Sequence, residues 1–206
     1  FVDGYGTDNF VKKEVASGGA LFDMGIYHIA RMLYLMGVPE IERVSGKTYQ
    51  EMGMYADRRE SSGYNVEELG LGLVRMAGNV TLDIIEAWAI HLDAFEGSYV
   101  VGSDGGIRLN PFGYFATIDD VEIEATAGLN SADTRWHRVR ENEDAYDSPQ
   151  DHWVGALQGR VELLPTAELA LKTMLISEGI YLSNELGREV MAEEIEEQSV
   201  SKALKI

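Results

Sequence analysis

The residues best placed to do chemistry are Asp23, Tyr27 and His28, which lie close together just after Gly18-Gly19. They fall in a segment whose apolar residues Phe22, Ile26, Ile29, Leu33 and Met36 recur at helical spacing, with Gly37 as a natural stop. The spacing predicts a helix of about five turns packed on one side. Asp23 belongs to the first turn, where free backbone N–H groups and the helix dipole favour a carboxylate. Tyr27 is four residues on and shares that face, so the two side chains can converge on one ligand. His28 is five residues on. At about 100° per residue it points roughly 140° away from Asp23 and needs a different neighbour. A carboxylate and a phenol on one face can orient a hydroxyl and move its proton. Each residue also has a plainer reading: a helix-start acid, a core-edge tyrosine and a structural histidine.

Other candidates are fewer. Lys12 and Lys13 precede the Gly-Gly turn and could reach a ligand hydroxyl, with Lys13 the preferred of the two. His91 and Trp88 fall near the end of a strand, where a structural role is the simpler one. His137 and His152 have no ligand spacing, H-E-x-x-H does not occur, and four scattered histidines make no zinc site. No metal is expected. Ser61-Ser62-Gly63 lacks the G-x-S-x-G frame of a hydrolase elbow. A dinucleotide-binding G-x-G-x-x-G turn is also missing: Gly4-Tyr5-Gly6 leads to Asn9, and Gly70-Leu71-Gly72 leads to Arg75 inside a strand pattern.

These residues need a frame. Residues 41–50, 65–76 and 80–92 read as strands, the last two joined by Ala77-Gly78-Asn79. Residues 98–102 and 107–110 flank Ser103-Asp104-Gly105-Gly106 as a second hairpin. Residues 114–118 and 121–127 meet at Asp119-Asp120 as a third, and 135–140 reads as one more short strand. Residues 52–64 read as a loop over the pocket or a long connection. Helix returns at 152–158, and again from Thr166, an N-cap with Glu168 in the first turn, to about Leu186 before Gly187. Helix, hairpin-linked strands, then helices predict an α+β fold: one domain over 1–206, with a large open, mainly antiparallel sheet and helices on one face. The other face must meet a partner subunit, a second domain or a ligand.

Thirty-five acidic residues against seventeen basic ones give a net charge of −18. Such a field repels phosphate backbones and anionic lipid, which excludes nucleic acid as a partner. No apolar run approaches the roughly 20 residues of a membrane span. Cysteine is absent, which excludes disulfides and thiolate chemistry and fits a reducing cytoplasm. No signal peptide is expected, and a start at Phe1 rather than Met leads to the expectation of a fragment or a trimmed chain.

The segment Ser17-Gly18-Gly19-Ala20-Leu21-Phe22-Asp23-Met24-Gly25-Ile26-Tyr27-His28 resembles the start of the C-terminal domain in the Gfo/Idh/MocA oxidoreductase family, with its Gly-rich turn and Asp-x-Gly-x-His or Asp-x-Gly-x-Tyr helix. Val66-Glu67-Glu68-Leu69 resembles that family's Val-Glu-Asp strand start. Gly102-Ser103-Asp104-Gly105 resembles its Gly-Thr-x-Gly hairpin. Gly187-Arg188-Glu189-Val190 resembles its Gly-Arg-x-Val ending. These pieces occur in family order along nearly the whole chain.

The resemblance implies half of a two-domain enzyme that oxidises a sugar or polyol hydroxyl by hydride transfer to NAD or NADP. The dinucleotide would be bound mainly by an N-terminal Rossmann domain, missing from this sequence, which also supplies a catalytic lysine. It further implies Asp23 and Tyr27 as the catalytic pair. Lys13, His28 and His91 are the candidates toward substrate, and a homo-oligomer through the open sheet face is expected. Inositol dehydrogenase-like members place histidine four residues after the aspartate. Here that position is Tyr27, as in the glucose–fructose oxidoreductase type, and His28 comes one residue late, so the histidine's role is not carried onto it. Alone, the chain is expected to be inert. A stand-alone sugar-binding or oligomerisation scaffold is the alternative.

Overall fold

The computed structural model describes residues 8–51, 53, 56–93 and 95–199. In chain order it contains α1 (Lys13–Ala16), a π-helical turn (Leu21–Gly25) continuing into α2 (Ile26–Leu35), β1 (Ile41–Tyr49), α3 (Ala56–Ser62), β2 (Leu69–Met76) and β3 (Val80–Ala87). Then come β4 (Tyr99–Val101), β5 (Gly106–Leu109), β6 (Phe112–Ile118), β7 (Val121–Ala125), α4 (Leu129–Val139) and α5 (Pro149–Leu157). The chain closes with α6 (Thr166–Leu186), β8 (Val190–Met191) and α7 (Ala192–Gln198). The fold is α+β with antiparallel pairing, as the residue patterns predict. The strands are shared between two four-stranded sheets, β3-β2-β1-β8 and β4-β5-β6-β7. The sheets belong to two compact units, Phe1–Ala94 with Thr166–Ile206, and Phe95–Pro165.

In the first unit, strand alternation decides which side chains meet the helices. Leu82, Ile84 and Glu86 of β3 point one way, while Thr81, Asp83 and Ile85 point the other. On β1 a register shift between Ile41 and Arg43 breaks strict alternation, so that Ile41 and Val44, three residues apart, are both buried. Helix α6 covers this face. Ile176 and Ile180 are fully buried with Leu21, Leu33, Val44, Val74 and Val190.

Glycines let the helix come close. Gly46 and Gly72 are paired across β1 and β2, and a Cβ on Gly46 would lie 2.7 Å from Ile180 Cγ2 and 2.9 Å from its Cα. A Cβ on Gly179 of α6 would in turn lie 2.9 Å from Val44 Cβ. Lys172, itself 6% exposed, donates from Nζ to the carbonyls of Val38 and Pro39 at 2.9 and 3.4 Å, where α2 has ended and its carbonyl dipoles point outward. The opposite face is open: Tyr49, Leu73, Ile85 and Met191 are all exposed.

The ends of the first unit are also fixed by recognisable chemistry. Gly187 takes φ +67 and its N–H returns to Ser183 O at 2.9 Å, which stops α6. Arg188 then forks onto the Glu194 carboxylate at 2.6 and 3.1 Å, and Met191 N–H donates to the same group at 2.9 Å.

The second unit is a meander. Ile118 pairs with Val121 across Asp119 and Asp120, which take φ +49 and +65, a two-residue turn with both residues left-handed. The strand expected at 135–140 is instead part of α4. Leu129, Ala132, Trp136 and Val139 recur at intervals of three and four, which is the helical period, and alternation over so short a stretch was fortuitous. His137 on α4 bridges Asp133 one turn earlier and Asp147 beyond the helix. Ser148 caps α5 by accepting from Asp151 N at 3.0 Å. Helix α3 occupies the stretch read as a loop at 52–64; Met52, Met54 and Tyr55 lie outside the described residues, as do residues 1–7 of the irregular start.

Two outcomes follow. Gly46→Ala should destabilise the protein by about 1–3 kcal/mol in urea unfolding, because Ile180's backbone cannot yield to the new methyl group. Arg188 holds Glu194 down to about 2, well below its ordinary 4.5. A depressed carboxylate stabilises the fold above its unfolded value and loses that contribution as pH falls toward 2. Protection of the α7 amides, taken relative to the intrinsic exchange rate at each pH, should therefore fall between pH 4.5 and 2, and Arg188→Ala should remove that pH-dependent step.

Candidate active site

The start of the Asp23 helix is built around Glu67. This carboxylate is 6% exposed and accepts from Gly19 N at 2.9 Å and Leu21 N at 3.0 Å. The Glu67 carbonyl accepts from Ala20 N at 3.3 Å. The amides that a helix start leaves without partners are thus taken up by one buried acid. The two glycines are needed for this approach: a Cβ on Gly19 would fall 2.0 Å from Glu67 O, and one on Gly18 would fall 2.0 Å from Tyr181 Oη. Tyr181 stacks on Phe22 with ring centroids 5.6 Å apart. Burial first, and then the Glu67 charge, push the Tyr181 phenol far above its ordinary range, so it stays protonated.

The helix then reaches β3 through two side-chain pairs. Trp88 Nε1–H donates to Asp23 Oδ2 at 3.1 Å, and His28 Nδ1 lies 2.8 and 3.0 Å from the two oxygens of Glu86. Glu86 and Trp88 are two residues apart, hence on one side of the strand line. Both pairs therefore bind one edge of the helix, whereas uniform α-helical spacing put Asp23 and His28 on well-separated faces. A π turn, with more residues per turn than an α-helix, occupies Leu21–Gly25, so a uniform step of about 100° does not run from Asp23 to His28. His28 does find a different neighbour from Asp23, namely Glu86.

Tyr27 is 69% exposed, with its ring open to solvent beside the pinned helix. Lys13 lies with Nζ 5.2 Å from the Tyr181 ring centre, and its backbone N–H donates to Asn65 Oδ1 at 2.6 Å. This places it at the Gly-Gly turn. His91 is exposed in the bend after Trp88. The structure thus gathers Asp23, His28, Trp88 and Glu86 along one line, with Lys13 at the Gly-Gly turn and His91 in the bend. Among the described residues no group of histidines and acids is arranged to hold a metal ion, and no helix is long and apolar enough to cross a membrane.

Two residues, Glu86 and Glu67, escaped the pattern reading, and a third, Trp88, was read only as a structural aromatic at a strand end. Glu86 was visible in principle, being an acid in the inward slot of the Leu82–Ile84 alternation. Glu67 had no signal beyond its place in the Val-Glu-Glu run. Trp88 stood out only as an aromatic, and its role as a donor to Asp23 depends on a contact 65 residues away in sequence.

The family model described as GFO/IDH/MocA C-terminal domain matches residues 2–108, and the chain belongs to that family. It is 22% identical over 196 residues to D-glucoside 3-dehydrogenase of Escherichia coli K12, covering 92% of this chain and 52% of that protein. Its fold resembles an oxidoreductase domain protein from Kribbella flavida, with TM-score 0.65 and 13% identity over 88% of this chain and 53% of the other. It also resembles the aldose-aldose oxidoreductase from Caulobacter crescentus solved with glycerol, with TM-score 0.57 and 17% identity over 91% and 52%. The chain spans about half the length of these relatives.

Replacing Glu67 by Ala should cost about 3 kcal/mol of stability, since two buried N–H groups lose a charged acceptor. Glu67→Gln, which keeps one acceptor oxygen, should lose clearly less in the same urea titration.

Proposed function

We propose that this chain is the substrate-side half of an oxidoreductase that oxidises a sugar or polyol hydroxyl with NAD or NADP. The observation that carries the reading is the family's Asp helix, held to β3 by Trp88 with Tyr27 open beside it. The chain's own residues do not fit the dinucleotide. The amides at its Gly-Gly helix start are taken by Glu67, so they have none left for a pyrophosphate, and the sequence has no G-x-G-x-x-G turn. On this reading the cofactor is held by a separate nucleotide-binding domain, and the 206 residues alone are expected to be inert.

Within this reading Asp23 accepts a hydrogen bond from a substrate hydroxyl and fixes its direction. Trp88 holds the carboxylate still. Tyr27 exchanges the hydroxyl proton, with a cation from the other domain making the phenolate accessible. Lys13, His28 and His91 contact the remaining hydroxyls. The names of the relatives, a glucoside dehydrogenase and an aldose oxidoreductase, support a sugar. The apolar residues on the open sheet face, Leu73 and Ile85 beside Tyr49, support association of two copies there. The absence of cysteine is in keeping with a cytoplasmic protein.

A non-catalytic scaffold is favoured by that same open face. It predicts a stable oligomer that binds sugar without redox turnover. The two readings separate on the full-length protein, assayed with sugars and polyols and both dinucleotides. Tyr27→Phe is expected to lower kcat at least about 100-fold with little change in cofactor affinity. Turnover equal to the unsubstituted enzyme removes Tyr27 from the chemistry, and no turnover with any substrate favours the scaffold.

A further inference from the structure

We infer that Glu86 is a positioning residue that fixes His28 as a hydrogen-bond acceptor in the substrate site, so that His28 selects a ligand hydroxyl able to donate to it. The inference rests on the reading of the site as a sugar or polyol site, but its structural half stands on geometry alone. Glu86 occupies an inward position of β3 where its neighbours in alternation are Leu82 and Ile84. Its side chain is 10% exposed, whereas that of His28 is 41% exposed. The acid is thus the buried partner and the imidazole the outward one.

Gly25 makes room for this arrangement. A Cβ there would lie 3.1 Å from Glu86 Cγ. The helix leading to His28 begins with a π turn, so its direction is not that of a uniform α-helical step.

An ionised carboxylate can only accept, so the ring nitrogen facing it must carry the proton. Nδ1–H then points at Glu86, and in the neutral ring Nε2, on the far side, keeps its lone pair. Burial pushes the Glu86 carboxyl above its ordinary value, and the His28 hydrogen bond offsets part of that rise. A sugar hydroxyl arriving at Nε2 is met by an acceptor. A carbonyl or ether oxygen in the same place is met by nothing it can bond to.

The test uses the 206-residue chain and long-range proton–nitrogen correlation of its four histidine rings. Neutral His28 is expected as the Nδ1–H tautomer, and Glu86→Leu should lose that preference. Glu86→Gln, closer in shape, guards against misfolding: its amide can accept or donate, so a mixture of tautomers is expected. An Nε2–H ring in the unsubstituted chain, or an Nδ1–H ring that survives Glu86→Leu, overturns the proposal. In the full-length protein, Glu86→Leu should raise KM for the best sugar or polyol about tenfold while kcat changes little. An unchanged KM there overturns the recognition role. A full-length protein that oxidises no sugar or polyol overturns the parent reading instead, and the tautomer result remains valid on its own.

Discussion

Everything at the candidate site depends on one buried carboxylate meeting one helix start. Glu67 sits against the chain at Gly18-Gly19, and its two oxygens accept from Gly19 and Leu21. A charge with so little exposure is tolerable only because oriented N–H donors and the positive end of a helix surround it. The two sides need each other: without the acid the amides of Gly19 and Leu21 are orphaned, and without those amides the buried carboxylate loses two donors. The contact leaves no slack for a side chain on Gly19, and Tyr181 leaves none on Gly18. It therefore fixes where Asp23 begins its turn, and with it the direction of the residues that follow.

A second fixed boundary lies under the sheet. Gly46, Gly72 and Gly179 allow α6 and the strands to approach almost backbone to backbone around Ile180 and Val44. The Asp23 helix, packed on α6 and tied to β3, is thus held on two sides. Helix, sheet edge and α6 form one stiff block, and Tyr27 is the exposed element set upon it. Such a block suits an enzyme half whose task is to present a substrate to chemistry positioned elsewhere.

Much of the frame was legible because it rests on local rules. The hairpins were marked by Gly78-Asn79 and Asp119-Asp120, the last long helix by Thr166 and Gly187, and the Asp helix by its apolar stripe. The errors have physical causes. The segment at 135–140 was too short for alternation to be told from a helix face, and α4 has no buried residue to make its stripe plain. His28 and Asp23 meet different partners, Glu86 and Trp88, across a helix start that includes a π turn. Glu67, Glu86 and Trp88 act across long stretches of chain, and pairings of that kind are not written in any local pattern.

The bond between Trp88 and Asp23 gives the site an optical property. An indole whose N–H is held by a carboxylate has an excited state sensitive to that group's charge and distance. The other two tryptophans, Trp136 and Trp153, belong to the second unit and are half exposed, at 50% and 55%. The partly buried indole should therefore emit at a different wavelength from the two wetter ones, and so serve as a label-free reporter of the carboxylate it holds.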